Sequence, residues 1–276
     1  ALEYVANGLK KIKDEHGAAH IGALLSPHST TEELHLATQL LRGLGSDNID
    51  HRLRHAEFAA QKGKVRWLGL PIAQLSHLQS VLVIGSNLRK DHPLFAQRIR
   101  QAVRQGASVT ALTAQVEDWA MPKTDLVAPA SEWMAALGAI AVAVAAEKGV
   151  AAPVAATVTA AAQAAATALL RGERKAVLLG NAAAHHAQAD ALLALANFIA
   201  TQAGASVGYL TEAANTVGAQ WVGAMPQAQG KNAAQILQGA ASGLKAVLLL
   251  NNEPEFDSAA AQGLDADMVV TLSPFK

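Results

Sequence analysis

The stretch Val81-Leu82-Val83-Ile84-Gly85-Ser86-Asn87-Leu88-Arg89-Lys90-Asp91-His92-Pro93 decides the fold. Four apolar residues in a row, without polar alternation, read as a strand buried on both faces. Gly85, Ser86 and Asn87 supply turn chemistry, since Gly and Asn tolerate positive φ. Pro93 suits the first position of a helix, and Gly106 ends it. That helix is expected to turn Leu94, Ile99 and Val103 inward and Arg98, Arg100 and Arg104 largely outward. Strand, glycine turn and helix, in that order, are the repeating piece of a parallel α/β protein.

The same piece recurs on either side. His20 to Leu25 reads as a strand, and Ser29-Thr30-Thr31-Glu32-Glu33 as a capping box that opens a helix carrying Leu34, Leu36, Leu40 and Leu41. Ala107 to Leu112 and Asp125 to Ala128 are further strands. An Ala-rich helix from about Ser131 closes a first α/β unit over residues 1–150. Ala151 to Ala168 reads as a hinge followed by a helix. A second unit, 151–276, restarts at Lys175-Ala176-Val177-Leu178-Leu179-Gly180-Asn181 and continues with a helix from about Ala187 to Gly204. Ser206 to Leu210 is then extended, 213–226 is a Gly-rich loop, and Ile236 to Ala240 is a short helix. The strand from Lys245 to Leu250 ends in Asn251-Asn252-Glu253-Pro254. The expected class is α/β: two Rossmann-like units, mainly parallel, covered by helices, with Val83 and Leu249 in central strands.

Composition bounds the chemistry. The 276 residues carry no net charge and 51% are hydrophobic, which excludes a polyanion-binding surface over the whole chain and disorder over most of it. The charge is uneven: eleven Lys/Arg face four Asp/Glu between Arg42 and Arg104. That excess suits an acidic partner or a phosphate, or is a solvated helix face. There is no cysteine, so this span holds neither an ordinary iron–sulfur cluster nor a disulfide. The apolar window Trp133 to Ala146 falls short of the roughly 20 residues a bilayer requires and reads as a buried helix. No signal peptide is visible. The chain opens on Ala-Leu-Glu and ends on the expected strand Met268 to Leu272, so it is expected to be an internal piece of a longer protein, truncated in its second unit.

Three turns follow buried strands: Gly85-Ser86-Asn87, Gly180-Asn181 and Asn251-Asn252. In parallel sheets ligands gather at such carboxyl ends, though each turn alone is ordinary turn chemistry. His51 and His55 have the i,i+4 spacing of two ligands on one helix face, but Arg52 and Arg54 flank them and oppose a cation. His185 and His186 read as surface residues. Ser131-Glu132-Trp133 lacks a nucleophile-elbow context, and Trp67, Trp119, Trp133 and Trp221 read as core or interface residues.

These stretches together resemble the molybdopterin oxidoreductase family, formate dehydrogenases included. Asp47-Asn48-Ile49-Asp50-His51-Arg52-Leu53-Arg54-His55-Ala56-Glu57 is similar to the family's metal-ligand loop, which reads roughly Asn-Asn-(Val/Ile)-Asp, then Arg, then cysteine or selenocysteine, then His. Ala56 falls on the ligand position and Glu57 on the next. Val81 to Pro93 resembles a pterin-dinucleotide loop of the form Gly-x-Asn-Pro followed by His-Pro, with Leu88 in place of the first Pro. Asn215-Thr216-Val217-Gly218, with Gly223 and Pro226, resembles Asn-x-x-Gly…Gly-x-x-Pro, with Trp221 where Asp is frequent. Leu248 to Asp257 resembles another Gly-x-Asn-Pro strand end, with Asn251 in place of Gly and Glu253 before the Pro.

Ser86 to Ala102 is most similar to the G-subunit family of bacterial NADH-quinone oxidoreductase, respiratory complex I, whose mitochondrial counterpart is the large iron–sulfur subunit. This resemblance implies a degenerate molybdopterin oxidoreductase fold with a scaffold role in the hydrophilic arm. It implies no catalytic or metal-binding residue here, and vestigial cofactor-binding residues at Gly85, Ser86, Asn87 and Asn252. No cofactor is expected in this fragment, and iron–sulfur clusters are expected in a preceding part of the parent polypeptide. The expected partners are the other subunits, with no nucleic acid and no membrane insertion. The expected location is peripheral, on the cytoplasmic side of the inner membrane. The alternative is a cofactor-binding fragment of a molybdopterin-dependent oxidoreductase.

Overall fold

The computed structural model describes residues 1–58, 65–259 and 263–274. The chain forms two compact units. One is discontinuous and joins Ala1–Val65 to Ala213–Lys276; the other is Arg66–Glu212.

The discontinuous unit opens with a helix, α1 (Leu2–His16), that the strand–turn–helix reading did not single out. Its strands are β1 (Ile21–Leu25), β2 (Ile49–Asp50), β8 (Ala246–Leu250) and β9 (Met268–Leu272). They form one sheet in the order β2-β1-β8-β9, all parallel. Period-two alternation sends Ile21, Ala23, Leu25, Leu248 and Leu250 into one apolar cluster, and Leu24, Val247 and Leu249 into another. The first cluster takes Leu9 and Ile12 of α1 and Leu34 and Leu41 of α2 (Thr31–Leu44). The second takes Ala233 and Ile236 of α10 (Ala233–Ile236). Thr30 and Glu33 form the expected capping box, and Gly45 ends α2 in the left-handed conformation. Residues 213–226, expected as loop, hold the short helix α9 (Thr216–Trp221), whose buried Thr216, Gly218 and Ala219 share a surface with α2. Gly218 lowers the local helix propensity, and tertiary packing overrides it.

The strands of the continuous unit are β3 (Ser80–Ile84), β4 (Ser108–Thr113), β5 (Thr124–Val127), β6 (Lys175–Leu179) and β7 (Ser206–Tyr209). They build a five-stranded parallel sheet in the order β5-β4-β3-β6-β7. Leu82, Ile84, Val177 and Leu179 point to one face, where α5 (Trp133–Lys148), α6 (Ala160–Leu169) and α8 (Ala189–Ala203) pack. Val81, Val83, Ala176 and Leu178 point to the other, against Ala96, Ile99 and Ala102 of α4 (Pro93–Arg104). By length and composition the helical stretch Ala130–Lys148 could cross a membrane, but here half of it is buried and it lies against α6 and α8.

Two expectations are corrected. The division at residues 150 and 151 falls inside the continuous unit, because β6 pairs with β3 in register from Ser80↔Lys175 to Ile84↔Leu179. The compositional shift at 151–159 marks only the connection between α5 and α6. Leu94 is 77% exposed rather than inward. At 3.6 residues per turn it lies roughly 140° around the helix from Ile99, off the stripe made by Ala96, Ile99 and Ala102.

Val83 and Leu249 are both buried in central strands, as expected. Leu249→Ala removes three carbons from a two-sided core and is expected to cost about 2–4 kcal/mol in denaturant unfolding. Leu94→Ala is expected to change stability by less than about 0.5 kcal/mol, the range of surface substitutions.

Candidate functional site

The segment 47–52 of the discontinuous unit is a polar clasp. Arg42 reaches Asp47 Oδ1 through Nε and Nη2 at 3.3 and 3.2 Å, and Nη2 also donates to Gly223 O at 2.8 Å. Asp47 Oδ2 accepts from the amides of Gln227 and Ala228 at 2.7 and 3.0 Å. Asn48 Oδ1 accepts from Lys231 N at 2.8 Å, while its Nδ2 donates to Ala19 O and Ile21 O. Asp50, fully buried, receives the Arg52 guanidinium in a two-pronged contact, Nε to Oδ1 at 2.9 Å and Nη2 to Oδ2 at 3.0 Å. Its remaining capacity takes the Arg52 and Ala233 amides, both at 3.0 Å. A carboxylate and a guanidinium buried together are tolerated only when satisfied in this way. Gly230 is required beside them: a Cβ there would lie 1.8 Å from Asp47 O.

Beyond the clasp the chain is irregular, so the helical spacing of His51 and His55 places no pair of ligands on one face. His51 is buried and its Nδ1 donates to Ala224 O at 2.9 Å. Arg52 lies over the Phe58 ring, and Arg54 donates to the carbonyls of Asp257 and Phe256. Ala56 is exposed on this loop. It has no lone pair to give a metal, so the ligand position of the resembling family is chemically empty here.

The turns after the central strands lie at the carboxyl ends of the parallel sheets, at the points where strand order reverses: β1 with β8 in one unit, β3 with β6 in the other. Asn251 sits at φ +51 and donates to Ser29 Oγ at 3.0 Å. Asn252, 4% exposed, donates its amide to Leu24 O and Leu250 O at 2.7 and 3.0 Å, and its Oδ1 meets no donor among the described residues. Asn252 therefore ties β1 to β8 and turns an acceptor, not a donor, toward anything else.

The Gly85 turn has the same polarity. Gly85 adopts φ +64, and a Cβ on it would come within 2.6 Å of Ala183 N of α7 (Asn181–Ala184) and 2.7 Å of the Trp133 ring. Gly85 O accepts from Ala182 N at 3.0 Å, so the turns after β3 and β6 lie against each other. Asn87 N donates to Asp91 Oδ2 at 2.9 Å and Ser86 Oγ to the same oxygen at 3.3 Å; Asp91 ends the short helix α3 (Leu88–Asp91). Asn87 Nδ2 donates to Glu117 Oε2 at 2.6 Å. Asp118 stands next to it, paired with Arg89, and the Ala120 amide, followed by Arg89, holds its carboxyl below the usual carboxylate range. The side-chain oxygens of Asn87 and Asn181 are buried without a donor among the described residues. A dinucleotide cofactor's phosphates require donors at such turns. Here the Ser86 hydroxyl and both Asn87 donors already face carboxylates, an arrangement that does not fit a phosphate at these groups. Asp91 and Glu117 carry this result, and the sequence pattern did not single them out.

The remaining candidates are absorbed by the fold. His92, in the same stretch, donates from Nε2 to Thr211 O at 2.8 Å and stacks on Phe95. His185 pairs with Glu212, and His186 stacks on Trp133 while donating to Ala130 O, so neither is a plain surface residue. Trp119 and Trp133 are core; Trp67 and Trp221 are exposed. Of the eleven basic residues between Arg42 and Arg104, Arg42, Arg52, Arg66 and Arg89 pair with aspartates, and Lys62 and Lys64 lie outside the described residues. Lys90 and Arg104 are exposed.

Removing one partner of a buried ion pair leaves the other charge uncompensated. Asp50→Ala is expected to destabilise the chain by about 3–5 kcal/mol. The double change Asp50→Ala with Arg52→Met is expected to cost less than Asp50→Ala alone, measured as the coupling in a denaturant double-mutant cycle.

A family model described as molybdopterin oxidoreductase matches residues 1–275. A putative formate dehydrogenase of Staphylococcus haemolyticus (strain JCSC1435) is 32% identical over 108 residues, 37% of this chain and 11% of that protein. The F420-dependent formate dehydrogenase subunit alpha of Methanocaldococcus jannaschii is 34% identical over 115 residues, 40% of this chain and 16% of that protein. The chain thus matches only a small part of the length of these relatives. A chain of the formyltransferase/hydrolase complex of Methylorubrum extorquens shares the fold, with a TM-score of 0.62 at 18% identity over 97% of this chain and 83% of that one. With two mainly parallel sheets covered by helices and a family match along almost its whole length, the chain belongs to the molybdopterin oxidoreductase family, with formate dehydrogenase-like homologues.

Proposed function

We propose that this chain is a metal-free molybdopterin oxidoreductase fold that serves as a scaffold in the hydrophilic arm of an NADH-quinone oxidoreductase of the respiratory complex I type. The observation that carries the reading is the loop 47–57. Asp47, Asn48, Asp50 and Arg52 are committed to the clasp, and Ala56 stands where a ligating side chain would be needed. The similarity of Ser86 to Ala102 to the G-subunit family supports the finer assignment. On this reading the parent complex passes electrons from NADH to quinone and couples this to ion translocation. The iron–sulfur clusters belong to another part of the parent polypeptide, since no cysteine is present here. The partners are the other subunits, with neither nucleic acid nor a membrane-inserted segment involved. The region lies peripherally on the cytoplasmic side of the inner membrane.

The second reading is a cofactor-binding fragment of a molybdopterin-dependent oxidoreductase. The curated relatives favour it, because the Staphylococcus and Methanocaldococcus proteins are both named formate dehydrogenases. It requires the metal to be held by something other than residue 56. Elemental analysis of the chain, purified from a host that makes the molybdenum cofactor, separates the two. The scaffold reading expects molybdenum and tungsten at background; near-stoichiometric metal establishes the second reading instead.

The scaffold reading also predicts where charge matters. Charges at an interface mainly steer association. Reversing the exposed Lys90 and Arg104 to Glu is expected to leave the melting temperature of the chain within about 2 °C. Assembly of the parent complex is expected to slow, most strongly at low salt where screening is least. Normal assembly rates with an intact fold would assign both residues to a solvated surface.

A further inference from the structure

We infer that Asp91 is a built-in anion: its carboxylate occupies the donors of the Gly85 turn and closes that turn to phosphate. A turn at the reversal point of a parallel sheet binds phosphate by offering hydrogen-bond donors to it. Three donors of this turn are the Ser86 hydroxyl, the Asn87 amide N–H and the Asn87 side-chain NH2. The first two converge on a single oxygen, Asp91 Oδ2, at 3.3 and 2.9 Å. The third is held by Glu117 Oε2 at 2.6 Å, and Glu117 Oε1 is itself fixed by Gln115 Nε2 at 2.9 Å. Among the buried side-chain atoms of these turns, the oxygens of Asn87 and Asn181 meet no donor among the described residues.

Two effects then oppose an incoming phosphate. It would have to displace a carboxylate that is held in place by the chain and needs no association entropy to bind. It would also come to rest beside the negative charges of Asp91 and Glu117, and like charges at contact repel. Asp91 is three residues past Leu88 and four past Asn87, so a single turn of α3 returns its carboxylate to the start of that helix. The device is local. It applies whichever enzyme the chain belongs to, and it does not depend on residue 56.

The test uses the whole chain, the variant Asp91→Ser and the milder Asp91→Asn. Each is titrated with inorganic phosphate and, separately, with GDP as a phosphate-bearing nucleotide. The backbone amide of Asn87 is followed by 15N NMR and the melting temperature is recorded in parallel. The unaltered chain is expected to show no saturable movement of the Asn87 amide up to about 10 mM, a concentration that bounds the affinity near the millimolar level. Asp91→Ser is expected to melt lower, to shift its Asn87 amide saturably with phosphate, and to regain melting temperature as phosphate is added. Asp91→Asn keeps an oxygen for the Asn87 amide, and is expected to fold at least as well as Asp91→Ser and to respond to phosphate in the same sense. Saturable binding of either ligand to the unaltered chain with an Asn87 response overturns the inference, because the turn would be open. Failure of both variants to respond to phosphate overturns it as well, because something other than Asp91 would then be closing the turn. Neither result bears on the metal content that tests the scaffold reading.

Discussion

The discontinuous unit depends on one buried contact, the Asp50 carboxylate gripped by Arg52 and by the Ala233 amide. Its two parts, 1–65 and 213–276, are separated by the whole of the other unit in sequence. The sheet joins them once, through β1 and β8. The clasp joins them a second time, with Asp47, Asn48 and Asp50 of the first part accepting the amides of Gln227, Ala228, Lys231 and Ala233 of the second. Parallel pairing fixes register along the strands but does not reach the stretch between α9 and α10 in the returning segment. Its amides must be satisfied somewhere, and side-chain acceptors held at the end of β2 do this. The cost of burying the Asp50 charge is offset because four donor contacts from three groups converge on it.

This places the loop around Ala56 in a different light from its resemblance to a ligand loop. Asn48 and Asp50 sit where the catalytic family carries its own Asn and Asp. Here those residues accept from the backbone, Asn48 from Lys231 and Asp50 from Arg52 and Ala233. Asn48 and Asp50 are held in this loop by the fold itself, through the amides of Lys231 and Ala233. Along these eleven residues Asn48, Ile49, Asp50 and Arg54 keep the motif's residue types, while Asp47, Ala56 and Glu57 depart from it.

The strands were legible in the sequence for a clear reason. Uninterrupted runs such as Val81–Ile84, Lys175–Leu179 and Ala246–Leu250 have one low-energy use, burial between two helical layers. The capping box at Thr30 and Glu33 was equally plain, because its bonds are local. The unit boundary was not legible, since the pairing of β6 with β3 spans ninety-five residues of register, from Ser80 to Lys175, that no local pattern reports. The helix at Thr216–Trp221 was hidden by its own glycine, and α1 carried no strand to announce it. At the candidate site, the turn residues Gly85, Ser86, Asn87 and Asn252 could be named from turn chemistry. What those residues bind could not, because it depends on Asp91 and Glu117. A signal existed for Asp91 in its spacing from Asn87. For Glu117, thirty residues away on the loop after β4, there was none.

The two reversal points share one physical outcome reached by different residues. In one unit Asn252 gives its side-chain NH2 to two carbonyls and keeps a buried oxygen without a donor among the described residues; in the other, Asp91 and Glu117 draw the Ser86 hydroxyl and two Asn87 donors onto themselves. Both arrangements commit side-chain donors at these strand ends to acceptors within the chain. A turn that must await a ligand leaves backbone groups unsatisfied until the ligand arrives, and buried unsatisfied groups cost roughly 1–3 kcal/mol each. When a turn satisfies its donors internally, the folded state no longer carries that cost, and the fold is stable without an anion in place.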